Sequence, residues 1–166
     1  GNPSALYRFG IDASDSLRFA RSKVATALGA EPGRVFFTSG GTEADNWAIK
    51  ATAEFLKNKG NHIITTKIEH HAVLHTCEFL EKHGYEVTYL DVDSEGRVRP
   101  EDLKAAIKDS TILVSIMFVN NEIGTVQPIK EAAAIAQAHK VLFHTDAVQG
   151  LGNVPIDVKD MGVDLM

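Results

Sequence analysis

The feature that most constrains the fold is a regular alternation of short β-rich runs with helix-like segments. The runs at residues 62–66 and 86–90 are rich in β-branched and aromatic residues. The run at 111–119 is apolar without interruption, as is typical of a strand covered on both faces. Strands that alternate with amphipathic helices predict an α/β fold, with three α/β/α layers built around a mainly parallel sheet.

Apolar periodicity and turn residues give approximate limits for each predicted element. Helices are predicted over residues 14–29, 43–59, 72–83, 100–108 and 129–139. Strands are predicted over residues 34–38, 62–66, 86–90, 111–119 and 141–145. Ser14 is the expected N-cap of the first helix, and Gly29 its end. No repeat or linker interrupts the pattern, so one α/β unit is expected.

Charge and composition exclude several functional classes. The net charge is −5, and no block of basic residues is present, so neither a nucleic acid nor a membrane surface is an expected partner. No apolar run approaches the roughly 20 residues that cross a bilayer. The single cysteine excludes an internal disulfide and fits a reducing compartment.

Polar, small or titratable residues follow four of the predicted strands. The sequences SGGTE, IEHHAV and NNEIGT come after strands 34–38, 62–66 and 111–119, and Asp146 follows strand 141–145. Because parallel sheets bind ligands at the carboxyl ends of their strands, these residues are expected to converge on one site. Asp146 stands close to the core, and a buried carboxylate needs a cationic or hydrogen-bonding partner.

The Gly40-Gly41-Thr42 segment passes from a predicted strand into a helix. Two glycines allow close backbone approach, and the free N–H groups of a helix N-terminus suit a phosphate. The alternative is an ordinary glycine turn in which Thr42 or Ser39 caps the helix. The segment is neither a P-loop nor a Gly-x-Gly-x-x-Gly dinucleotide fingerprint.

Three histidines follow the strand at 62–66. His71 and His75 are four residues apart on one helical face, which can suit a metal, but solvated helix positions are favoured and no metal site is predicted. His70 precedes the helix, where its imidazole can stack on a flat ligand, carry a proton or cap the helix.

Two further residue types allow both a functional and a structural interpretation. Asn120 and Asn121 can form an Asx-type turn, or one amide can reach the strand-end crevice. Cys77 lies in the middle of a predicted helix without a cationic neighbour, so it is interpreted as a small half-buried hydrophobe rather than a nucleophile.

Five ordered stretches together resemble the cysteine desulfurases, which are class V enzymes of the fold-type I pyridoxal-phosphate group. They are GNPSALYRFG, FTSGGTEADNWAIK, HIITTKIEHHAVL, TILVSIMFVNNEIGTVQPI and HTDAVQGLGNVPIDV. The resemblance runs through the whole chain. It implies that residues 1–166 are part of a large cofactor-binding domain, without the N-terminal arm, the segment with the Schiff-base lysine and the C-terminal small domain.

The resemblance also implies the residues that hold pyridoxal 5′-phosphate. Asp146 would pair with the protonated ring nitrogen, and Gln149 would hydrogen-bond the ring 3′ oxygen. Asn121 would contact the same edge or the substrate. His70 would stack on the ring and is the candidate catalytic proton carrier. The phosphate would be held by Gly41 and Thr42.

By resemblance, the parent enzyme converts L-cysteine to L-alanine and transfers sulfur, as an enzyme persulfide, to acceptors such as an iron–sulfur scaffold protein. A cytoplasmic homodimer is implied. The chain itself is expected to show no turnover, because the lysine and the nucleophilic cysteine of the family fall outside it. The alternatives are a selenocysteine lyase or other class V enzyme, a non-catalytic remnant or dimerising scaffold, and an unrelated phosphate-binding α/β module.

Overall fold

The computed structural model describes all 166 residues and divides them into two compact units. The first comprises residues 1–37 and 156–159, and the second comprises residues 38–155 and 160–166. The sequence predicted one α/β unit, whereas the structure describes two compact units. The first long helix belongs to the smaller unit, which contributes no strand to the sheet.

The chain forms six α-helices, one 3₁₀ turn and four strands. The helices are α1 Arg8–Leu28, α2 Gly41–Leu56, α3 His71–Glu81, α4 Pro100–Ala106, α5 Ile129–Ala138 and α6 Val158–Met161, with the 3₁₀ turn at Pro32–Arg34. The strands are β1 His62–Thr66, β2 Glu86–Leu90, β3 Thr111–Ser115 and β4 Leu142–His144. No helix combines the length and the hydropathy that a membrane crossing requires.

The four strands form one sheet in the order β2-β1-β3-β4, and each neighbouring pair is parallel. Every residue of β1 and β3 is buried, as expected for central strands covered on both faces. The edge strand β2 is partly exposed. These observations confirm the predicted α/β fold with a parallel sheet.

Helices α2 and α3 pack together over β1 and β3, and their apolar faces form a hydrophobic core with those strands. The buried members of this core are Ile49, Ala53, Leu56, Ile63, Val73, Cys77, Leu80, Ile112 and Leu113. Because the sheet and both helices are fixed by this core, the loops at the carboxyl ends of the strands start from rigid positions.

The predicted strand at 34–38 is wrong. Residues 32–34 form the 3₁₀ turn, and the sheet does not include the rest of the run. Phe36 and Phe37 are 65% and 47% exposed. A β-rich sequence becomes a strand only when a neighbouring backbone pairs with it, and the sheet of this chain does not provide one.

The first helix begins earlier than predicted. Helix α1 starts at Arg8 with Tyr7 as its N-cap, so Ser14 lies inside it. The apolar pattern did not reveal this start, because only Gly10, Ala25 and Leu28 are buried among the 21 residues of α1. The predicted end is confirmed, since Gly29 terminates the helix in the left-handed conformation with φ 67°.

The strands that lead to the site are shorter than predicted. Strand β3 ends at Ser115 and β4 at His144, although the sequence predicted continuation to residues 119 and 145. Beyond Ser115, the backbone still pairs: Ile116 N–H donates to the carbonyl of His144, and Phe118 N–H donates to that of Asp146. The apolar run therefore continues as an extended segment that opens into loops.

Candidate functional site

A pocket of about 210 Å³ lies at the carboxyl ends of β1, β3 and β4, beside the N-terminus of α2. Its lining residues are Gly41, Thr42, Asp45, His70, Met117, Val119, Asn121, Asp146, Val148 and Gln149. All six residues predicted to hold a cofactor are among them. The convergence expected at the strand ends is therefore present in the structure, and it involves four separate chain segments.

Asp146 is a buried carboxylate that faces this pocket and is 7% exposed. Its one hydrogen bond in the structure is accepted by Oδ1 from Val148 N–H, at 2.9 Å. Burial raises the pKa of Asp146 above its ordinary value, and the negative charge of Asp45 adds to this effect. A cation placed in the pocket would relieve both costs.

The N-terminus of α2 lines the same pocket through Gly41 and Thr42. Its N-cap is Gly40, which has no side chain to accept hydrogen bonds from the first N–H groups of the helix. Neither Thr42 nor Ser39 makes a capping hydrogen bond to this helix. The backbone N–H and the hydroxyl of Ser39 both donate instead to Glu43 Oε2, at 2.6 and 2.7 Å. The pKa of Glu43 is lowered by these bonds. A helix start of this kind suits an anion such as phosphate.

Gly41 is close to the opposite wall of the pocket. A Cβ atom built on Gly41 would lie 2.6 Å from Val148 Cγ2, a distance that real Cβ contacts do not show. Only a glycine leaves the Val148 side chain undisturbed while the α2 backbone approaches the pocket this closely.

His70 caps a helix and also lines the pocket. It is the N-cap of α3, with Nδ1 accepting a hydrogen bond from Ala72 N–H at 3.2 Å. This bond fixes Nδ1 as an acceptor, so the neutral ring carries its proton on Nε2. Because the residue also lines the pocket, the cap orients an imidazole at the site.

Asn120 forms a turn, as one of the two interpretations predicted, and Asn121 reaches the pocket, as the other predicted. Asn120 forms the turn: its Oδ1 accepts hydrogen bonds from the N–H groups of Glu122 and Ile123, at 2.9 and 3.0 Å. Asn121 lines the pocket at an exposed position, as does Gln149 on the opposite segment. Both amides are thus available to a ligand at the rim.

Three titratable residues near the pocket were missed by sequence reasoning. Asp45 lines the pocket and is 4% exposed, His144 is fully buried, and Glu69 is 6% exposed. For Asp45 alone the sequence offered a signal of a place near the site, since Asp45 lies one helical turn after Gly41. It was not decisive, because a helical aspartate is most often solvated.

Glu69 is a buried carboxyl group directly before His70. Its Oε1 accepts hydrogen bonds from the Thr66 hydroxyl at 2.8 Å and from Met117 N–H at 2.9 Å, whereas Oε2 has no partner. Burial raises the pKa of Glu69 to about 8, against the lowering effect of those hydrogen bonds. Glu69 therefore joins β1, α3 and the segment after β3 while holding a proton at neutral pH.

We expect Glu69→Gln to change the pH dependence of stability. The folded pKa of about 8 exceeds the ordinary value of 4.5, so the wild type loses stability as pH rises between those values. The amide cannot ionise, and the free energy of unfolding of Glu69→Gln relative to wild type should rise from pH 5 to pH 8. Urea unfolding at both pH values measures this difference. The exposed Glu78→Gln is the matched control, and a parallel pH profile for Glu69→Gln would contradict the assignment.

The remaining sequence candidates lie outside the pocket. The rings of His71 and His75 stack with centroids 5.1 Å apart, and no group of three or more His, Cys, Asp or Glu side chains is arranged to hold a metal ion. Cys77 is fully buried rather than half-buried, and burial raises the pKa of its thiol to about 12. A thiol of this kind stays protonated and unreactive.

Comparison with known proteins gives a consistent result along the whole chain. The aminotransferase class-V family matches residues 1–166. The cysteine desulfurase IscS of Clostridium botulinum (strain Hall / ATCC 3502 / NCTC 13319 / Type A) is 61% identical over 166 residues, and that of Methanosarcina thermophila is 59% identical. The chain is covered completely in both comparisons and spans 42% and 41% of those relatives.

Solved structures share the fold. A NifS-like protein superposes with a TM-score of 0.96 at 43% identity, covering 99% of this chain and 46% of its own. SspA in complex with cysteine superposes with a TM-score of 0.96 at 42% identity, covering 99% of this chain and 47% of its own. The chain thus spans less than half the length of the proteins it matches.

Proposed function

Because the chain belongs to the aminotransferase class-V family, we propose that its strand-end pocket holds pyridoxal 5′-phosphate. We propose further that residues 1–166 form part of the large cofactor-binding domain of a cysteine desulfurase. The observation that carries this proposal is the single pocket in which a buried carboxylate, Asp146, faces the uncapped N-terminus of α2. A phosphorylated pyridinium has the two opposite charges that such a pocket requires.

The residues present fit that group at both of its charged ends. Asp146 keeps carboxylate acceptor capacity beyond its single hydrogen bond, and its burial makes a cationic partner favourable. The N–H groups of Gly41 and Thr42 lie at a helix start that no side chain caps. The pocket between them has apolar walls at Met117, Val119 and Val148, which suit a flat ring.

Each side chain has a defined task in this proposal. Asp146 accepts the hydrogen bond of the ring N–H and keeps the ring cationic. Gln149 donates to the ring 3′ oxygen, and Asn121 contacts the same edge or the substrate. His70, with Nδ1 held by Ala72 N–H, stacks on the ring and presents Nε2 as the proton carrier.

When bound, pyridoxal phosphate supplies a cationic ring that withdraws electrons from the substrate carbon. The protein's contribution is to orient the ring and to keep a negative charge beside its nitrogen. Glu69 supports the orientation of the ring, because its hydrogen bonds to Thr66 and Met117 fix the segments that carry His70 and the apolar wall.

For the whole protein we propose the conversion of L-cysteine to L-alanine, with the sulfur transferred first to a cysteine thiolate of the enzyme as a persulfide. The relatives at 61% and 59% identity carry the name cysteine desulfurase, which supports this substrate class. We extend the proposal to a cytoplasmic homodimer that passes sulfur to an acceptor such as an iron–sulfur scaffold protein.

Calorimetric titration with pyridoxamine 5′-phosphate tests the cofactor proposal on this chain. The amine has the ring and phosphate of the cofactor but no aldehyde, so it does not react with surface lysines. We expect saturable binding with one site per chain, and much weaker binding of inorganic phosphate alone. Equal affinity for both compounds, or no binding of either, would refute the proposed pocket.

We expect Gly41→Ala to weaken pyridoxamine phosphate about tenfold, because the new methyl group meets Val148 and forces the α2 N-terminus or the pocket wall to move. Adding Val148→Ala removes the clash, so the double variant should recover most of the lost affinity. The dissociation constants of the wild type, both single variants and the double variant form a complete cycle. Additive effects of the two substitutions would show that the close approach does not govern binding.

A further inference from the structure

A buried histidine and a buried aspartate meet beside the pocket. His144 is 0% exposed, and its Nδ1 lies 2.8 Å from Ser115 Oγ. Its Nε2 has no hydrogen-bond partner and faces Asp45 Oδ1 at 3.6 Å, which is beyond a normal hydrogen bond. A polar ring atom that is completely buried and aimed at a carboxylate without a bond is uncommon, and it calls for an explanation.

The backbone places His144 and Asp146 on the same face of the sheet. Their carbonyl groups accept successive hydrogen bonds from Ile116 and Phe118, so the parallel pairing continues past the end of β4. Residues two apart in extended backbone point to the same side. His144 faces Asp45, Asp45 lines the pocket together with Asp146, and both Asp45 and His144 act electrostatically on Asp146.

Four titratable groups surround Asp146 from the elements packed around it. Asp45 comes from α2, Glu69 and His70 from the segment between β1 and α3, and His144 from β4. Burial raises the pKa of Asp146 most, and the charge of Asp45 raises it further, whereas the hydrogen bond from Val148 N–H and the two histidines lower it. The neighbouring charges therefore adjust an ionisation that burial already disfavours.

We propose that Asp45 and His144 are positioning residues that together set the charge Asp146 presents to a cationic ring in the pocket. His144 places its Nε2 edge opposite the Asp45 carboxylate at one side of the pocket, while Ser115 fixes the ring through Nδ1. Asp45 in turn opposes ionisation of Asp146. The inference rests on the proposed function for its purpose, although the electrostatic coupling that it describes requires no ligand and can be tested without one.

Carbon-13 NMR of the aspartate carboxyl carbons tests the coupling in the ligand-free chain. Asp45→Asn removes the neighbouring negative charge, so the titration midpoint of Asp146 should fall by at least about 0.5 pH unit. His144→Gln removes the opposing influence, and the midpoint should rise. Asp91→Asn is the matched control, because Asp91 is exposed and pairs with Lys67 at 2.6 Å. Should His144→Gln fail to fold, Asp45→Asn, which changes only one oxygen to nitrogen, decides the outcome alone.

Pyridoxamine phosphate titrations at several pH values form the second arm. The acid limb of the affinity profile should move to lower pH in Asp45→Asn and stay in place in Asp91→Asn. An unchanged Asp146 midpoint in Asp45→Asn would overturn the inference. Failure of the wild-type chain to bind pyridoxamine phosphate would instead contradict the proposed function, and the NMR titration would still decide whether the coupling exists.

Discussion

Asp146→Asn should weaken the binding of pyridoxamine 5′-phosphate at least about 100-fold. Asp146 is 7% exposed, and the substitution removes the only negative charge that the proposal places against the ring nitrogen. Removing one partner of a buried ion pair costs about 3–5 kcal/mol, and 1.4 kcal/mol corresponds to a tenfold change in affinity. Calorimetry at neutral pH measures the loss directly.

The stability of ligand-free Asp146→Asn is the control for its folding. Burial already disfavours the charged form of Asp146, so the neutral amide should leave the ligand-free protein as stable as the wild type or more stable. Asp91→Asn should change neither property, since its ion pair with Lys67 is exposed. Undiminished binding by a folded Asp146→Asn protein would contradict the assignment of this residue.

The second large effect concerns the core that fixes the site. Phe143 is fully buried in β4, three residues before Asp146, and Phe143→Ala should lower the free energy of unfolding by about 3–5 kcal/mol. Phe55→Ala makes the same chemical change on α2 at a position that is 84% exposed, and it should change stability by less than about 0.5 kcal/mol.

Urea unfolding of the two phenylalanine variants provides the measurement, with the slope checked for two-state behaviour. Phe143→Ala should also weaken pyridoxamine phosphate, because the strand end that carries Asp146 loses its support. Similar losses of stability in both variants would show that β4 is not packed as the structure describes.

The sequence predicted the central elements well because their signals are local. The runs at 62–66 and 86–90 form β1 and β2 with the predicted limits, and Gly29 ends α1 as expected. The run at 34–38 failed, because its residues have β propensity but no strand in this sheet to pair with. Pairing partners are a tertiary property, and residue patterns alone do not reveal them.

The site also has one part that the sequence predicts and one part that depends on tertiary packing. The six predicted residues share one pocket because the carboxyl ends of parallel strands meet at one edge, which is a rule of topology. Asp45 and His144 were missed because their burial depends on tertiary packing, and the position of Asp45 one helical turn after Gly41 was too weak a signal to reveal it. The charge balance around Asp146 therefore required the folded structure.

A crystal structure of this chain with pyridoxamine 5′-phosphate tests whether the strand-end pocket is the cofactor site. We expect the ring nitrogen to lie within hydrogen-bond distance of Asp146 and the phosphate to lie at the N–H groups of Gly41 and Thr42. The contradicting result is a ligand held elsewhere, for example at the cleft of about 530 Å³ beside Lys50 and Lys57, with the strand-end pocket filled only by solvent.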